Sequence, residues 1–542
     1  MATVARTLAN TLKELGVRYV FGVPSGNWVD YIAAIEDTDE LDFILVSNEA
    51  SGGFMADVCW RMTGTIAACF GTLGPGACNL STGVCGGYLD RSPMIAFTDE
   101  MSDKMRYRTA QMNIDHQAFF KPVTKWTTRL KAGEVRHTIH KAVQIATSEV
   151  PGPVHIGLPQ GIGVNESLEK TSKPIAPIKI ETPGEDALIK MEKLFSEAKK
   201  PLIALGITSV RAKVRDKVIM LLEKFNIPAV LTPMAKGMIP EDHPLYAGVL
   251  AHALSNQVGQ THQQSDMIMG IGYDPVEINY EEWVPDVPLL HIDTSPVDLD
   301  TEKYTLGCEV TGNLEFALDR LLALNLSKKE WDLDELDETR KKISAQLKAP
   351  EGIFGPRKVL ENLRKILPGN GIMACDVGAH LHLIGQQWKT NSPDCLLMTN
   401  GCSSMGFAIP AAIAAKVSCP RRPVCCVVGD GGFLMMAGEM ATASRLGIKV
   451  VFVVIRDANL TLIKIKQENK GHTQYGTSLF CETNKHQPAG NYFGVPVFFA
   501  NNEEQYDTAL QKAFNVDGPA IIEAFVNAKE YNDLILKGNK PL

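Results

Sequence analysis

The sequence has few of the features that mark secreted, membrane-bound or nucleic-acid-binding proteins. Its twelve cysteines are scattered without a Cys-x-x-Cys spacing, which argues against a zinc site and a disulfide framework. No run approaches the roughly 20 apolar residues that cross a membrane. The first turns of chain show an amphipathic helix pattern without a signal-peptide core or cleavage site. The formal net charge of −8 argues against a broad nucleic-acid-binding surface. We therefore expect a cytoplasmic protein that acts on small molecules, with no nucleic-acid and no membrane partner.

What the chain does have is the composition of a globular protein, with 45% hydrophobic and 21% charged residues, and enough length for roughly three domains. Two stretches are typical of linkers. Residues 170–186 are rich in proline, lysine and glutamate, and residues 326–356 are highly charged, with a first part that favours an exposed helix. Strand and helix signals alternate in the three remaining blocks. We expect three doubly wound α/β domains with parallel sheets, at residues 1–170, 186–326 and 350–542.

The first and third blocks share a layout. Each has a glycine-rich turn after a strand signal, at residues 71–76 and 429–432. Each also ends with a Gly-Pro pair followed by a strand signal, at residues 152–156 and 518–522. We interpret this as a divergent internal duplication of one α/β domain.

The most informative motif is the stretch Gly-Asp-Gly-Gly-Phe at residues 429–433, which follows one apolar run and precedes a helical pattern at 434–446. The next apolar run ends at Asp457, so an acid follows each of two strands at the edge where parallel sheets bind ligands. Glycine N–H groups and a helix N-terminus favour a phosphate, whereas Asp430 inside the turn repels one. The conflict disappears if Asp430 and Asp457 hold a divalent cation that bridges to a diphosphate. Acids that cap the following segments are the alternative, which accounts for one of them but not for both.

Glu49 is the second motif. It follows a strand-like run at residues 43–48 and precedes a helix start of small and apolar residues at 50–56. We expect it to face the ligand-binding edge of the first sheet with little solvation. The alternative is an ordinary first-turn acid that complements the helix dipole.

Together these motifs resemble the thiamine-diphosphate-dependent family of 2-oxoacid decarboxylases and carboligases, over nearly the full length of the chain. The Gly-Asp-Gly-Gly turn with the later Asp-x-Asn resembles the metal–diphosphate motif of that family, and Glu49 resembles its cofactor-activating glutamate. Residues 74–79 resemble its loop near the aminopyrimidine. Acetolactate synthases, especially the flavin-independent catabolic type, are resembled most in four stretches: residues 120–125, 272–277, 376–380 and 400–406.

The resemblance implies the thiamine-diphosphate-binding fold, with thiamine diphosphate and Mg²⁺ as cofactors. Glu49 would activate the cofactor through its pyrimidine ring, and Met405 would support the bent cofactor, although a lone methionine is more often core filler. Asp430, Asp457 and the backbone carbonyl of Asn459 would bind the metal; many relatives have asparagine where this chain has Asp457. His380 is also consistent with a packing role. Cofactor contacts are implied for Pro24, Gly74, Asn79, Gly378, Ala379, His380, Ser403, Met405, Gly431, Gly432 and Phe433.

Gln111 and His116 are the polar candidates for catalysis in the substrate pocket. Residues 111–116 resemble the benzaldehyde lyase loop that carries an active-site glutamine, and a histidine satisfied within its own loop is the alternative for His116. The chain lacks the adjacent histidines of pyruvate-decarboxylase relatives, and Phe70 stands where benzoylformate decarboxylase has a histidine. Residues 25–28 are expected at the pocket mouth. The pocket is therefore expected to be apolar, with few acid–base groups.

The leading functional hypothesis is decarboxylation of a 2-oxoacid followed by carboligation to a second carbonyl, as in acetolactate synthase. A simple 2-oxoacid decarboxylase that releases an aldehyde is the first alternative. An inactive regulatory paralogue is another, which the presence of Glu49, Asp430 and Asp457 disfavours. A Rossmann dehydrogenase would need a Gly-x-Gly-x-x-Gly that the third block lacks.

Two further expectations concern other ligands and partners. FAD is not expected, because residues 248–252 read Gly-Val-Leu-Ala-His where biosynthetic acetolactate synthases have a flavin-contacting Gly-Met-His-Gly-like segment. In the family the two ends of the cofactor bind different subunits. The resemblance therefore implies a homodimer or homotetramer with active sites shared between chains.

Overall fold

The chain folds into three successive α/β units, each built on its own mainly parallel sheet. The computed structural model describes residues 2–168, 175, 178–278, 285–481 and 489–535. Residues 170–174, 176 and 177 of the predicted linker at 170–186 lie outside these residues. None of the helices in the described part of the chain is long and apolar enough to cross a membrane.

The first unit has six strands and six α-helices. Its strands are β1 (Tyr19–Gly22), β2 (Asp42–Leu45), β3 (Ala67–Gly71), β4 (Met94–Glu100), β5 (Trp126–Arg129) and β6 (Val154–Pro159). They lie in the order β2-β1-β3-β4-β6-β5, and every neighbouring pair is parallel. Strands β3 and β4 are buried along their whole length, because helices cover both faces of the sheet. The helices are α1 (Val4–Glu14), α2 (Val29–Glu36), α3 (Glu49–Thr63), α4 (Pro75–Leu89), α5 (His116–Phe120) and α6 (Val135–Thr147).

The middle unit is a second doubly wound sheet. Its strands are β7 (Pro201–Leu205), β8 (Ala229–Leu231), β9 (Tyr246–Val249), β10 (Met267–Ile271), β11 (Leu289–Asp293) and β12 (Leu306–Thr311), in the order β12-β11-β10-β7-β8-β9. The direction of winding reverses between β7 and β10, the position where such sheets bind ligands. The helices are α7 (Glu185–Glu197), α8 (Ile207–Arg211), α9 (Arg215–Phe225), α10 (Ser255–Gln263) and α11 (Leu314–Ala323).

The charged stretch at 326–356 contains a helix, α12 (Leu333–Leu347), as expected. The helix is not exposed on all sides, because Leu336, Ile343 and Leu347 are buried in the core shared by the middle and third units. This segment therefore packs as part of the structure rather than as a free connection.

The third unit has a seven-stranded sheet. Its strands are β13 (Ile372–Cys375), β14 (Leu396–Leu397), β15 (Val424–Gly429), β16 (Val450–Arg456), β17 (Asn491–Tyr492), β18 (Val495–Ala500) and β19 (Ala520–Phe525), in the order β14-β13-β15-β16-β19-β18-β17. Only the short β17 is antiparallel to its neighbour within the described sheet. The helices are α13 (Pro356–Ile366), α14 (Ala379–Gln387), α15 (Ala408–Ser418), α16 (Asp430–Met436), α17 (Glu439–Leu446), α18 (Thr461–Asn469), α19 (Glu503–Asn515) and α20 (Tyr531–Leu534).

The first and third sheets have the same topology. If the strands of each unit are numbered by their order along the chain and the short β17 is left out, both sheets read 2-1-3-4-6-5. The three α/β sheets and the relation between the first and third are therefore confirmed. These two units also share a core, in which Phe54 of α3 meets Phe407 edge-on, with ring centroids 5.7 Å apart.

The helix expected at 434–446 differs from the prediction. It begins four residues earlier, at Asp430 inside the glycine turn, and it is broken into α16 and α17 at residues 437–438. The break faces the first unit, where Ser47 Oγ donates a hydrogen bond to the Gly438 carbonyl at 2.8 Å. The interrupted helix thus uses a freed carbonyl to bind the neighbouring unit.

Candidate active site

Three aspartates follow three adjacent strands of the third sheet. Asp376 comes directly after β13, Asp430 after β15 and Asp457 after β16. The carboxyl ends of parallel strands lie at one edge of a sheet, so the three acids share the edge at which such sheets bind ligands. The expected proximity of Asp430 and Asp457 is therefore present.

Asp430 and Asp457 are held together by backbone hydrogen bonds. Asp430 Oδ2 accepts from the N–H groups of Asp457 at 3.2 Å and Ala458 at 2.6 Å. Asp457 Oδ2 accepts from Thr461 Oγ1 at 2.7 Å. Burial, and then the neighbouring Asp457, raise the pKa of Asp430 to about 7, and burial raises the pKa of Asp457 to about 6. Two poorly solvated carboxylates that repel each other form a donor set that fits a hard divalent cation.

The third predicted metal ligand is the carbonyl oxygen of Asn459. The chain pairs here with Ser478 in an isolated antiparallel bridge. Its hydrogen bonds run from Leu460 N to Thr477 O and from Leu479 N to Ala458 O. This pairing does not use the Asn459 carbonyl, which is therefore compatible with a bond to the metal.

The glycine turn is packed so tightly that side chains would not fit. A Cβ atom on Gly432 would lie 1.8 Å from Asp376 Oδ2, and one on Gly431 would lie 3.1 Å from Met405 Cε. Met405 therefore lies against the turn, and its contact with the cofactor stays a prediction. Close approach of backbone N–H groups to a diphosphate is the property for which such turns need glycine.

Asp376 was not recognised as a site residue from the sequence. Its buried carboxylate accepts hydrogen bonds from the N–H groups of Gly406 and Ala408, both at 3.1 Å, and burial raises its pKa to about 6. It thereby links the glycine turn to the loop that carries Met405. The available signal was its position directly after an apolar strand, the same signal that marked Asp457.

His380 lies in the first turn of α14, beside both glycine segments of the third unit. Cβ atoms on Gly378 and Gly429 would lie 2.8 and 3.2 Å from its ring. Its Nε2 atom is buried and has no hydrogen-bond partner among the described residues. Burial lowers its pKa to about 4, so the ring is neutral at pH 7. An unpartnered buried nitrogen at a ligand-binding edge fits a contact with a bound polar group.

Glu49 opens α3 and is held against α4. Its Oε2 atom accepts a hydrogen bond from Asn79 Nδ2 at 3.1 Å, and a Cβ atom on Gly76 would lie 3.1 Å from its Oε1 atom. The side chain is buried, as expected. Glu439 of α17, which the sequence did not single out, accepts from the N–H groups of Ser47 at 2.9 Å and Asn48 at 3.0 Å. The third unit therefore fixes the turn that positions Glu49.

His116 lies behind the glycine turn of the first unit. The Gly74 N–H donates to His116 Nε2 at 3.3 Å, and His116 Nδ1 lies 2.8 Å from Thr98 Oγ1. Both ring nitrogens are engaged, which is the arrangement expected for a histidine satisfied within the protein. Contact of His116 with a substrate stays a prediction.

Gln111 lines an open cavity of about 540 Å³. The cavity walls come from the β1–α2 loop at residues 25–27, from Thr72 and Leu73 of the glycine turn, and from the loop that carries Gln111 and Met112. Trp28 is instead fully buried and stacks on Phe70, with ring centroids 3.9 Å apart. The structure thus brings residues 25–27 and Gln111 together, while Trp28 and Phe70 belong to the core.

Asp99, near the end of β4, supports this cavity from below and was also missed. Its Oδ2 atom accepts hydrogen bonds from Ser25 Oγ and, at 3.3 Å, from Thr72 Oγ1. Burial raises its pKa to about 6. The signal in the sequence was the position of Asp99, an acid near the end of an apolar strand.

The other predicted cofactor contacts lie on loops and helix starts around the two glycine turns. Pro24 is exposed in the β1–α2 loop, and Ser403 is exposed with a positive φ of 50° in the Met405 loop. Ala379 is buried at the start of α14. The Phe433 ring is buried and packs edge-on against Tyr492, so the predicted cofactor contact of Phe433 would have to come from its backbone.

The reversal point of the middle sheet is occupied by a side chain. Glu277 Oε1 accepts from the Ile207 N–H at 3.1 Å and from Thr232 Oγ1 at 3.0 Å, and burial raises its pKa to about 8. Dinucleotides bind at this point in related sheets, with phosphate at a helix N-terminus. The absence of FAD stays a prediction, for which Glu277 supplies a physical reason.

Comparison with known proteins gives matches along the whole chain. The thiamine pyrophosphate enzyme models match in chain order: the N-terminal TPP binding domain at residues 2–119, the central domain at 188–321 and the C-terminal TPP binding domain at 376–524. A probable acetolactate synthase large subunit of Methanocaldococcus jannaschii is 31% identical over 481 residues, which is 85% of this chain and 81% of the relative. The acetolactate synthase large subunit of Haemophilus influenzae is 27% identical, over 94% of this chain and 92% of the relative. The acetolactate synthase of Bacillus subtilis is 26% identical, over 98% and 94%.

Proposed function

Because this chain belongs to the thiamine-diphosphate-dependent enzyme family that includes acetolactate synthases, we propose that it uses Mg²⁺ and thiamine diphosphate to decarboxylate a 2-oxoacid and join the product to a second carbonyl. Thiamine diphosphate was predicted from the sequence, and the matches to its binding domains confirm it. The observation that carries the rest is the pairing of Asp430 with Asp457 beside a glycine turn, at the edge of two neighbouring parallel strands.

The residues of the third unit would hold the charged end of the cofactor. Asp430, Asp457 and the Asn459 carbonyl supply oxygen ligands, which suit Mg²⁺. The backbone N–H groups of the turn at 431–433 would bind phosphate oxygens, and His380 would offer its unpartnered nitrogen from the other side.

When bound, thiamine diphosphate supplies the nucleophilic carbon and the electron sink for decarboxylation. Glu49 would share a proton with the pyrimidine ring, for which a buried carboxyl is suited. Asn79 orients Glu49 by a hydrogen bond, and Met405, which lies against the glycine turn, would support the cofactor from that side.

Carboligation is favoured because none of the described residues that line the cavity has an acidic or basic side chain. Gln111 donates hydrogen bonds but does not titrate near pH 7. His116 is neutral and engaged behind the turn, because burial lowers its pKa to about 4. A pocket with few acids protonates the reacting carbon slowly and leaves time for a second carbonyl to react.

One observation favours the second candidate, a decarboxylase that releases an aldehyde. Asp99 lies beneath the cavity, and its pKa of about 6 makes it a suitable acid near neutral pH. Its carboxyl, however, is tied to Ser25 and Thr72.

Incubation with pyruvate, Mg²⁺ and thiamine diphosphate separates the two candidates, because carboligation gives acetolactate and the alternative gives acetaldehyde. We expect acetolactate, with activity lost on chelation of the metal. The Asp430→Asn variant should lose activity, and Asp517→Asn, at an exposed aspartate, is the matched control. Turnover of several 2-oxoacids to aldehydes alone would reject carboligation, and unchanged activity in Asp430→Asn would reject the metal site.

We further propose that two copies of the chain share each active site. Large apolar side chains are exposed beside the candidate site: Leu434 is 47% and Met435 57% exposed on α16, and Met112 is 39% exposed beside Gln111. Exposed apolar side chains that cluster around a site are typical of an interface.

A further inference from the structure

A chain of hydrogen bonds runs through the interior of the first unit, starting from the glycine turn. The Gly74 N–H donates to His116 Nε2 at 3.3 Å. His116 Nδ1 lies 2.8 Å from Thr98 Oγ1, which lies 2.8 Å from His155 Nε2. His155 Nδ1 in turn lies 2.7 Å from Thr127 Oγ1. Both histidines and Thr98 are buried, so water does not compete for these bonds.

The far end of the chain is an ion pair. Thr127 Oγ1 donates to Gln117 Oε1 at 2.8 Å, and Gln117 Nε2 donates to the Glu100 carboxylate. Arg129 binds the same carboxylate. A carboxylate held by arginine only accepts hydrogen bonds, so it fixes the orientation of the Gln117 amide.

These two ends determine where each proton lies. A backbone N–H only donates, so His116 Nε2 accepts and its proton is on Nδ1, which donates to Thr98. The Thr98 hydroxyl then donates to His155 Nε2, and the proton of His155 is also on Nδ1. Starting from Gln117 gives the same result, because Thr127 donates to the amide oxygen and accepts from His155. Both histidines must be neutral, and burial lowers the pKa of His116 to about 4 and that of His155 well below its ordinary value.

Glu100, His116 and His155 also have potential metal-ligand atoms within 4.8 Å of one another. The hydrogen bonds argue against a metal there, because both nitrogens of each histidine already have partners. The Arg129 guanidinium at Glu100 would also repel a cation.

We propose that Thr98 and His155 are positioning residues for the cofactor-activating side of the active site. By fixing the proton of His116 on Nδ1, they keep its Nε2 atom as the acceptor for the Gly74 N–H. This inference rests on the proposed function. It gives Thr98 and His155 a role that they exert through His116 rather than by contact with the cofactor.

The link from Gly74 to Glu49 is short. Gly74 has a φ of +67° and caps α4, and a Cβ atom there would lie 2.8 Å from the Met112 carbonyl. The following turns of α4 carry Gly76, against Glu49 Oε1, and Asn79, which donates to Glu49. Loss of the His116 contact would therefore loosen the turn that supports Glu49.

The test starts with the histidine tautomers, which can be read without any ligand. Long-range ¹H–¹⁵N NMR of ¹⁵N-histidine-labelled protein at pH 7 should show the proton of both His116 and His155 on Nδ1, with His116→Gln and His155→Gln identifying the signals. An Nε2–H tautomer for either residue in the wild type would overturn the proposal. This readout does not depend on the enzyme reaction, so it is separate from failure of the proposed function.

Variants at Thr98 then test the positioning role. Thr98→Val keeps the shape but loses the hydroxyl, whereas Thr98→Ser keeps the hydroxyl. In Thr98→Val we expect a shift in the His116 tautomer and a thiamine diphosphate affinity weaker by roughly 2- to 10-fold, as one net hydrogen bond allows. Thr98→Ser should restore both. Calorimetry with Mg²⁺ and inorganic pyrophosphate, which probes only the third unit, should be unchanged in both variants.

Two results would overturn the positioning role. Wild-type thiamine diphosphate affinity in Thr98→Val would mean that the hydrogen-bond chain does not act on the cofactor side. An equal loss of pyrophosphate affinity would mean that the substitution damages the protein generally.

Discussion

Single residues differ in what burial does to them, and Glu49 and Asp99 illustrate two cases. Glu49 is buried beside a side chain that can donate to it, Asn79, and its expected partner is the cofactor. Asp99 is buried with two hydroxyl donors and no cation among its hydrogen-bond partners. We therefore expect substitution of Glu49 to change mainly catalysis and substitution of Asp99 to change mainly the free energy of unfolding.

We expect Glu49→Gln to keep the fold and most of the cofactor affinity, because the proposed metal and diphosphate contacts belong to the third unit. Hydrogen exchange at C2 of the bound thiazolium, followed by NMR, should slow by about 10²–10⁴-fold, the usual contribution of a general acid–base group. Turnover should fall by the same order. Exchange at the wild-type rate would return Glu49 to the role of an ordinary first-turn acid.

Asp99→Asn should stabilise the protein above neutral pH. Burial raises the folded-state pKa of Asp99 from 3.8 to about 6, so its contribution to stability is present below pH 3.8 and is lost as pH rises through 6. Asparagine keeps an oxygen to accept from Ser25 and Thr72 but does not ionise. The variant should exceed the wild type by at most about 3 kcal/mol at pH 7.5 and by little at pH 4. Denaturant unfolding at both pH values measures this, and a difference independent of pH would contradict it.

At the scale of elements, the start of α16 is the most constrained part of the site. Gly432→Ala would place a Cβ atom 1.8 Å from Asp376 Oδ2, and that carboxylate is tied to Gly406 and Ala408. We expect loss of cofactor binding and destabilisation by roughly 1–3 kcal/mol, the usual range for overpacking.

The matched control for that substitution is Gly259→Ala in α10. No atom lies within 4 Å of a Cβ atom there, so the change should stabilise by about 0.5–1 kcal/mol through helix propensity. Thermal unfolding and calorimetry of both variants decide the matter. Equal effects at positions 259 and 432 would refute the packing argument.

Elements with strong local patterns could be predicted from the sequence, and contacts between distant segments could not. Strands β15 and β16 could be predicted because both faces of a parallel strand are buried, which requires an unbroken run of apolar residues. The glycine turn directly follows β15. The break between α16 and α17 was missed because Ser47, which binds the Gly438 carbonyl there, is remote in sequence. Glu439 was missed for the same reason, since the N–H groups that it binds belong to the first unit.

At the scale of the whole molecule, we expect at least a dimer, and by family resemblance a tetramer. Light scattering at micromolar concentration measures the mass, and an active monomer would contradict the shared site.

Met435→Glu should weaken association and cofactor binding together, because the exposed side chain lies two residues after Phe433. Met220→Glu is the control, since Met220 is 56% exposed on α9 of the middle unit, which carries neither glycine turn. Similar effects of the two substitutions would count against the proposed interface.

The common strand order of the first and third sheets has a consequence for the history of this chain. The third strand of each sheet, β3 or β15, is followed by its glycine turn, and the fourth, β4 or β16, has an aspartate at its end, Asp99 or Asp457. An ancestral single-unit protein that paired with a second copy would have presented two equivalent ligand-binding edges. After duplication and fusion, one copy would have kept an acidic turn, which suits a metal, and the other a neutral turn, which suits an aromatic ring. Selection would then act on equivalent positions in opposite directions, one turn retaining an acid and the other excluding it.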